Sequence, residues 1–351
     1  MTMIPSNAIN IDAQVLKIIA ELDEFKGRWD SLGKLSQDKL TSLRRVATIE
    51  SVGSSTRIEG ARLSDHEVEA LLANLEMHSF RSRDEEEVAG YAGAMNTIFD
   101  SWEHIPLTEN HIKQLHGMLL KYSTKDRPHR GEYKKFPNNV EAFDANGKSL
   151  GVIFETASPF DTPRLMSDLL DWTTTALREQ ELHPLLVIAA FVVHFLAIHP
   201  FQDGNGRLSR VLTTLLLLKC GYLYVPYSSM ERIVEENKDR YYRALRASQR
   251  HIRGKKENLD DWISFFLHTL KKQKDVLLRK VERERLLPQL SPLSESILIL
   301  GKERGRLTIS EAVTLLSINR NTAKLHFRQL VQQGYLIQHG VGKATWYSTG
   351  K

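Results

Sequence analysis

The chain of 351 residues contains a single cysteine, Cys220. One cysteine excludes an intramolecular disulfide and any zinc site built from several cysteines, and it fits a reducing compartment. The longest apolar runs cover about two to three helical turns, which is too short to cross a bilayer. The first residues lack the basic segment and the long apolar stretch of a signal peptide. We therefore expect a cytoplasmic protein with no membrane partner.

Excess charge is also scarce, and it is unevenly distributed. The formal net charge is +5. Residues 288–351 contain eight lysines and arginines against three acids, so they account for the whole excess. A basic terminal segment of this size is a candidate for binding nucleic acid.

Helical periodicity dominates the rest of the chain. Helices are predicted at about 11–29, 36–52, 84–102, 108–122, 163–179, 182–198, 236–249, 258–280, 293–303, 308–315 and 319–333, with others after Ser64 and Gly206. A charge-laced connector helix is expected at 271–287. Residues 150–156, 334–337 and 344–347 are predicted as strands, and Asn146-Gly147 suits a hairpin turn. The pattern predicts a mainly α protein with a small β-hairpin and a terminal α+β unit.

Residues 199–210, with the sequence HPFQDGNGRLSR, concentrate the chemistry of the chain between two apolar runs. Gly204, Asn205 and Gly206 can adopt a backbone that aligns successive N–H groups toward an anion. A helix that begins near Arg207 would add its N-terminal amides and its dipole. Arg207 and Arg210 would project from one face there, as suits a polyphosphate.

Two further side chains complete this segment. Asp203 lies beside the anion loop, where a carboxylate is repelled unless Mg²⁺ bridges it to phosphate oxygens. His199 closes the preceding helix because Pro200 disfavours helix at the residue before it. An imidazole with a pKa near neutrality could take a proton from an incoming hydroxyl.

The segment resembles, without exception, the Fic family pattern H-x-F-x-[DE]-G-N-G-R-x-x-R. The resemblance implies a Fic-type helical bundle that transfers AMP from ATP to a Ser, Thr or Tyr hydroxyl of a target protein and releases pyrophosphate. It implies His199 as general base and Asp203 as the Mg²⁺ ligand. It assigns the nucleotide to Gly204, Asn205, Gly206, Arg207 and Arg210. The target could be the chain itself.

Other segments resemble the same family over approximately residues 50–280. The predicted hairpin at 150–156 resembles the flap, in which Val152, Ile153 and Phe154 would dock the target by strand addition. An ordinary two-stranded excursion is the alternative. Residues 131–134 resemble the family segment G-x-[YF]-R with lysine at Lys134 where arginine is usual, and we assign that residue no catalytic role.

Residues 54–60, SSTRIEG, resemble the inhibitory pattern [ST]-x-x-x-E-[GN] of the family. Ser55, Glu59 and Gly60 occupy its defined positions, and Gly60 suits a helix terminus. The resemblance implies that Glu59 pairs with Arg210 and withdraws it from the γ-phosphate of ATP. Some family members also remove AMP with this glutamate, and the sequence leaves that second activity open.

The terminal segment resembles the winged-helix domains appended to many Fic proteins. Its predicted recognition helix would present four residues to DNA, and the wing tip would add a fifth; these are Asn319, Arg320, Asn321, Lys324 and Lys343. A winged helix that binds protein or dimerises is the alternative.

The sequence thus predicts three parts. Residues 1–105 form an N-terminal helical region with the inhibitory helix at about 42–60, residues 106–280 a Fic catalytic domain with a flap at about 140–157, and residues 288–351 a winged-helix domain. Two other functions stay open at this stage. One is a DNA-binding transcriptional or toxin–antitoxin-like regulator that uses the Fic fold as a sensor, and the other is transfer of a different nucleotide. A homodimer is also open.

Overall fold

The computed structural model divides into two compact units, residues 1–282 and residues 283–351. Each unit has its own hydrophobic core. Among the described residues no helix is both long and apolar enough to cross a membrane. The structure describes residues 4, 8–32, 37–75, 79–143, 149–250, 252, 257–286, 290–342 and 345–350.

Helices build the first unit. In chain order they are α1 (Ala13–Leu32), α2 (Gln37–Ile58), α3 (Asp65–Ala73), α4 (Arg83–Ser101), α5 (Glu109–Leu119), α6 (Thr162–Glu179), α7 (Pro184–Ile198), α8 (Asn205–Lys219), α9 (Met230–Glu236), α10 (Lys238–Gln249) and α11 (Asp260–Leu286). Ser64 and Glu67 form a capping box at the start of α3, where a helix was predicted. The side chain of Thr108 caps α5.

Three helix predictions need correction. The sequence did not predict α9, a short helix capped by the Ser229 side chain. The helix at 258–280 and the connector at 271–287 are one continuous helix, α11. The helix predicted to be inhibitory, at about 42–60, ends at Ile58, so Glu59 and Gly60 lie in the turn beyond it, where Gly60 has φ +112°. A left-handed residue of this kind ends a helix, and glycine adopts it without a steric penalty.

The centre of the first unit is the pair α7 and α8. Every residue of α7 from Leu185 to Ile198 is buried, as expected for a helix that is apolar on all sides. Phe201 and Leu208, which anchor the connecting loop, are fully buried as predicted. The loop between the two helices is therefore fixed at both ends by the core.

The first unit also contains a hairpin of two strands, β1 (Val140–Phe143) and β2 (Ser149–Phe154). The strands are antiparallel, with Val140 opposite Phe154. The predicted strand at 150–156 ends earlier because the Thr156 N–H donates to the Asn139 side chain, at 3.1 Å, instead of continuing the ladder. The predicted turn at Asn146-Gly147 lies outside the described residues.

The second unit contains α12 (Pro292–Arg304), α13 (Ile309–Leu315) and α14 (Arg320–Gln332), followed by the antiparallel strands β3 (Leu336–His339) and β4 (Trp346–Thr349). This order of elements agrees with the α+β prediction. All of these helices and both strands contribute residues to the core of the unit, among them Ile297 of α12, Phe327 of α14 and Tyr347 of β4. The strands begin about two residues later than predicted.

Candidate active site

Side-chain hydrogen bonds to the backbone of Phe201 fix the conformation of the loop between α7 and α8. His199 ends α7 in the left-handed conformation, with φ 53°. The side chain of Asn205 accepts from the Phe201 N–H at 2.9 Å and donates to the Phe201 carbonyl at 2.7 Å. Asn138 donates to the same carbonyl at 2.6 Å. The predicted anion-binding residue Asn205 therefore uses its side chain to shape the loop, and α8 begins at Asn205 rather than at Arg207.

The two ring nitrogens of His199 have different surroundings. Its Nδ1 is 3.3 Å from the Leu196 carbonyl, which can only accept, so Nδ1 carries the proton and Nε2 is left to accept one. The pKa of His199 is lowered to about 4, because burial and the Lys134 ammonium together outweigh the Leu196 carbonyl, Glu59 and Asp203, which act to raise it. The sequence predicted a pKa near neutrality, and burial is the reason for the difference.

Asp203 belongs to a closed ring of two carboxylates and two guanidinium groups. Arg83 donates to Asp203 at 2.9 Å and to Glu87 at 2.8 Å. Arg207 lies 3.2 Å from Asp203 and 3.0 Å from Glu87. Burial acts to raise the pKa of Asp203, but Arg207, the Gly204 N–H and Arg83 outweigh it and hold that pKa below its usual value. The sequence patterns did not indicate a role for Arg83 and Glu87 of α4, because both lie outside the predicted catalytic pattern at 199–210.

Arg210 and Glu59 form an ion pair. Arg210 Nη2 donates to Glu59 Oε1 at 2.8 Å and to the Ser55 carbonyl at 2.9 Å, while Nε donates to Ser55 Oγ at 2.8 Å. A Cβ at Gly206 would collide with the Glu59 carboxylate. That carboxylate therefore lies over the first turn of α8, where unpaired backbone N–H groups attract an anion.

Arg57 fixes the end of α2 that carries Glu59. Its guanidinium lies 2.6 Å from Glu235 of α9 and 2.9 Å from Asp65 of α3, and it donates to the Leu63 carbonyl at 2.8 Å. These contacts join three elements at a half-buried arginine. No sequence pattern indicated a role for Arg57, although it lies within residues 54–60, the segment predicted to be inhibitory.

Lys134, for which no catalytic role was predicted, is buried next to the loop between α7 and α8, and its ammonium group contacts three acceptors. Its ammonium donates to Asn138 Oδ1 at 2.7 Å, to Thr156 Oγ1 at 2.9 Å and to the Ile198 carbonyl at 3.0 Å. Asn138 and Thr156 lie just outside the two strands of the hairpin, and Ile198 precedes His199. Lys134 thus ties the base of the hairpin to the end of α7, where a cation also suits the helix dipole.

His116, another histidine without an assigned role, supports the loop from α5. Its ring stacks on Phe201 with centroids 3.9 Å apart. Its Nδ1 accepts from the Gly131 N–H at 2.9 Å, so the proton is on Nε2, which lies 3.0 Å from the Asp203 carbonyl. Burial lowers the pKa of His116 to about 4. The ring is neutral at pH 7 and acts as a structural support.

A cavity of 330 Å³ lies over the loop between α7 and α8. Glu59, His199, Asp203, Gly206 and Arg207 line it together with residues of the hairpin and of α10. Its size lies at the lower end of the range for small-molecule sites. Of the predicted site residues, Glu59, His199, Asp203 and residues 204–207 line this cavity, whereas Arg210 is buried behind it and does not.

The hairpin contributes to this cavity unequally. Val140 and Phe154 line it. Val152 is 51% exposed and faces away from the core. The side chain of Ile153 lies outside the described residues. Of the three predicted docking residues, Val152 is exposed and Phe154 borders the cavity.

Magnesium would be held by the Asp203 carboxylate, since Glu59, the other carboxylate that lines the cavity, is bound to Arg210. No group of three or more His, Cys, Asp or Glu side chains among the described residues could hold a metal ion. Mg²⁺ commonly uses one or two carboxylates and completes its shell with water and substrate phosphates. Asp203 fits that pattern. Arg207 Nε and Arg210 Nη1 are buried without a hydrogen-bond acceptor in the described part of the chain, and such donors fit phosphate oxygens.

The second unit presents its predicted DNA-binding residues on one helix. Asn319, Arg320, Asn321 and Lys324 are all exposed. Asn319 caps α14 by accepting from the Asn321 N–H at 2.8 Å. Lys343 lies outside the described residues.

The comparison with known families bears on the centre of the first unit. Residues 106–217 match the Fic/DOC family. The matched stretch contains the loop between α7 and α8, the hairpin and α5 to α7 with most of α8.

Curated relatives extend the similarity beyond this domain. The chain is 27% identical over 257 residues to protein adenylyltransferase Fic of Drosophila melanogaster, covering 70% of this chain and 48% of the relative. It is 25% identical over 290 residues to the protein of the same name from Drosophila virilis, covering 80% of this chain and 56% of the relative. The chain spans about half the length of the curated relatives it matches.

Solved structures share the fold. A Fic family protein from Desulfovibrio desulfuricans G20 superimposes with a TM-score of 0.68 at 22% identity, covering 98% of both chains. A Fic domain containing signaling protein from Bacteroides thetaiotaomicron VPI-5482 gives a TM-score of 0.61 at 24% identity, covering 76% of this chain and 97% of the other. The Fic-type helical fold is thus common to all three.

Proposed function

We propose that the chain is a protein adenylyltransferase that transfers AMP from ATP to a Ser, Thr or Tyr hydroxyl of a protein. The observation that carries the proposal is the cavity in which His199, Asp203 and Arg207 meet at the N-terminus of α8. The name of the curated relatives supports the choice of AMP as the transferred group. Glu59, bound to Arg210, holds the site in an inhibited state.

The chemistry follows from the positions of the groups. The hydroxyl oxygen attacks the α-phosphorus of ATP, the bond from that phosphorus to the bridging oxygen breaks, and pyrophosphate leaves. His199 takes the hydroxyl proton on Nε2, the nitrogen that the Leu196 carbonyl leaves available. Arg207, the α8 amides and Arg210, once freed from Glu59, bind the phosphates. Mg²⁺ held by Asp203 and phosphate oxygens would neutralise charge on the leaving group.

Nucleotide selectivity tests this proposal. The purified chain with the Glu59→Gly substitution is incubated with a mixture of candidate acceptor proteins and, separately, ATP, GTP, CTP or UTP. Intact-mass spectrometry should show a gain of one AMP with ATP alone, on the chain itself or on an acceptor. A gain with another nucleotide would replace AMP by that group, and no gain with any of the four would contradict the transferase function.

The pH dependence of the reaction should reflect the low pKa of His199. A general base works in its neutral form, and kcat/KM reports the pKa of the free enzyme. Because that pKa is about 4, kcat/KM should stay level from pH 8 to about pH 5 and fall only below it. Initial rates of AMP transfer with circular dichroism at each pH provide the measurement and the control for unfolding. A midpoint near 6.5 would contradict a buried, neutral base.

The second unit supports an additional role in binding duplex DNA. Its net positive charge and the exposed row of Asn319, Arg320, Asn321 and Lys324 on α14 suit phosphate and base contacts. Phosphate contacts would make this binding weaken steeply with salt. The role is compatible with AMP transfer by the first unit.

A further inference from the structure

One face of α10 carries a row of arginines that the proposed reaction does not use. Arg240, Arg243, Arg246 and Arg250 are three, three and four residues apart, and this spacing places them on the same side of the helix. All four are exposed. At 1.5 Å per residue the row extends over about 15 Å. We call it the arginine row.

Among the residues that the structure describes, the arginine row has no acidic partner. In the described part of the chain no carboxylate oxygen lies within ion-pair distance of any of its four guanidinium groups, whereas Arg57, Arg83, Arg207 and Arg210 are all paired. Like charges three or four residues apart on a helix repel one another. A face that retains four uncompensated positive charges is suited to a ligand that carries several negative ones.

The row borders a groove of 650 Å³ between α10 and α11. Lys272 and His268 of α11 line the opposite side, and Asp261 is the one acid among the lining residues that the structure describes. Ala244 and the half-buried Phe265 form its apolar part. The groove thus offers a basic rim and a small apolar floor.

The groove is adjacent to the catalytic cavity, because Arg246 lines both spaces. Arg246 is the third of the four arginines, so the row passes along the rim of the site that contains His199. An elongated ligand in the groove would therefore pass close to that rim.

We propose that the arginine row binds an acidic segment of the polypeptide that presents its hydroxyl to the catalytic cavity. This inference rests on the proposed function. About 15 Å corresponds to four or five residues of extended chain, which is enough for several carboxylates. Single-stranded nucleic acid would require exposed aromatic faces on which bases stack. Phe265 is half-buried and its ring packs near Trp262 and Tyr241, so it does not provide such a face.

The test compares a charge-reversed row with a matched control. One variant carries Arg240→Glu, Arg243→Glu and Arg250→Glu, and leaves Arg246 intact because it lines the catalytic cavity. The control carries Arg28→Glu, Arg164→Glu and Arg178→Glu, three exposed arginines elsewhere with the same total charge change. Fluorescein-labelled poly-L-glutamate is the probe, and its anisotropy gives the affinity of the full chain.

Reversal of the row should weaken binding of poly-L-glutamate by about tenfold or more, since several charge pairs are lost and repulsion is added. The control should bind as the wild type does. Equal affinity of the reversed and control variants would overturn the proposal. So would single-stranded DNA of equal charge that binds more tightly than poly-L-glutamate and loses its affinity on reversal, because the row would then be a nucleic-acid surface.

A second readout separates this inference from the proposed function. In the Glu59→Gly background, a random copolymer of glutamate and tyrosine serves as acceptor, and reversal of the row should lower its labelling by AMP about tenfold relative to self-labelling. Unchanged copolymer labelling would contradict a docking role. If no AMP transfer occurs to any acceptor, the proposed function fails, and the anisotropy measurement still decides whether the row binds acidic polypeptide.

Discussion

The Glu59→Gly variant is expected to transfer AMP about 10 to 100 times faster than the wild-type chain, because a charge-assisted hydrogen bond contributes about 1.5–3 kcal/mol. Glu59 Oε1 accepts from Arg210 at 2.8 Å, and the carboxylate lies against Gly206 at the start of α8. Its removal frees the guanidinium and the α8 amides for phosphate. The measurement is the initial rate of labelling by ATP that carries a radioactive α-phosphate.

Two controls sharpen this comparison. Glu181→Gly removes an exposed glutamate from the loop between α6 and α7 and should leave the rate unchanged. Glu59→Gln keeps the volume of the side chain but removes its charge, so its rate should lie between those of the wild type and Glu59→Gly. A rate for Glu59→Gly that does not exceed the wild-type rate would refute inhibition by this residue.

Replacement of His199 should lower AMP transfer by about 10²- to 10⁴-fold, the usual contribution of a general base. The effect should appear in the wild-type and the Glu59→Gly backgrounds alike, because the proton must leave the hydroxyl whether or not Arg210 is free. Binding of a non-hydrolysable ATP analogue should change little, since no phosphate contact is assigned to His199. Calorimetry of that binding therefore separates lost chemistry from a lost site.

The choice of substitution matters because His199 has φ 53°. Asparagine adopts this left-handed conformation more readily than alanine, so His199→Asn preserves the loop while it removes the base. His66→Ala, at an exposed position on α3, is the control. Transfer by His199→Asn at the wild-type rate would exclude His199 as the base.

The sequence predicted the fold best where local signals were strong. The apolar run of α7 predicted a helix close to the one observed, and the helix expected after Ser64 is α3. The prediction was wrong at α11. The charge-rich second half of this helix was predicted to be a separate connector, although Leu277 and Val281 continue the buried face of one helix. It also missed α9, because seven residues contain less than two periods of a helical pattern.

The candidate site was predicted from two short local patterns, residues 199–210 and the segment that contains Glu59. Glu59, His199, Asp203 and residues 204–207 line one cavity. Lys134, His116 and Arg83 were not given a role, because the contacts that join them to the end of α7 or to the loop after it reach across 64 or more residues, and no local pattern reports such a distance. Lys134 carried a weak signal, since it occupies a position where the family pattern has arginine.

In the proposed inhibition, the position of Glu59 immediately after α2 implies an equilibrium between a closed form, in which Glu59 binds Arg210, and an open form. Arg57 anchors the last turn of α2 to α3 and α9, so we propose that release of Glu59 involves the short turn that follows rather than the helix. The basal rate of the wild type, divided by the rate of Glu59→Gly, then measures the fraction of molecules in which this turn is open. A ratio of 1 to 100 would correspond to an opening free energy of about 2.7 kcal/mol, well below the cost of global unfolding. A physiological activator would need only to bind the open form more tightly than the closed one, by a comparable free energy.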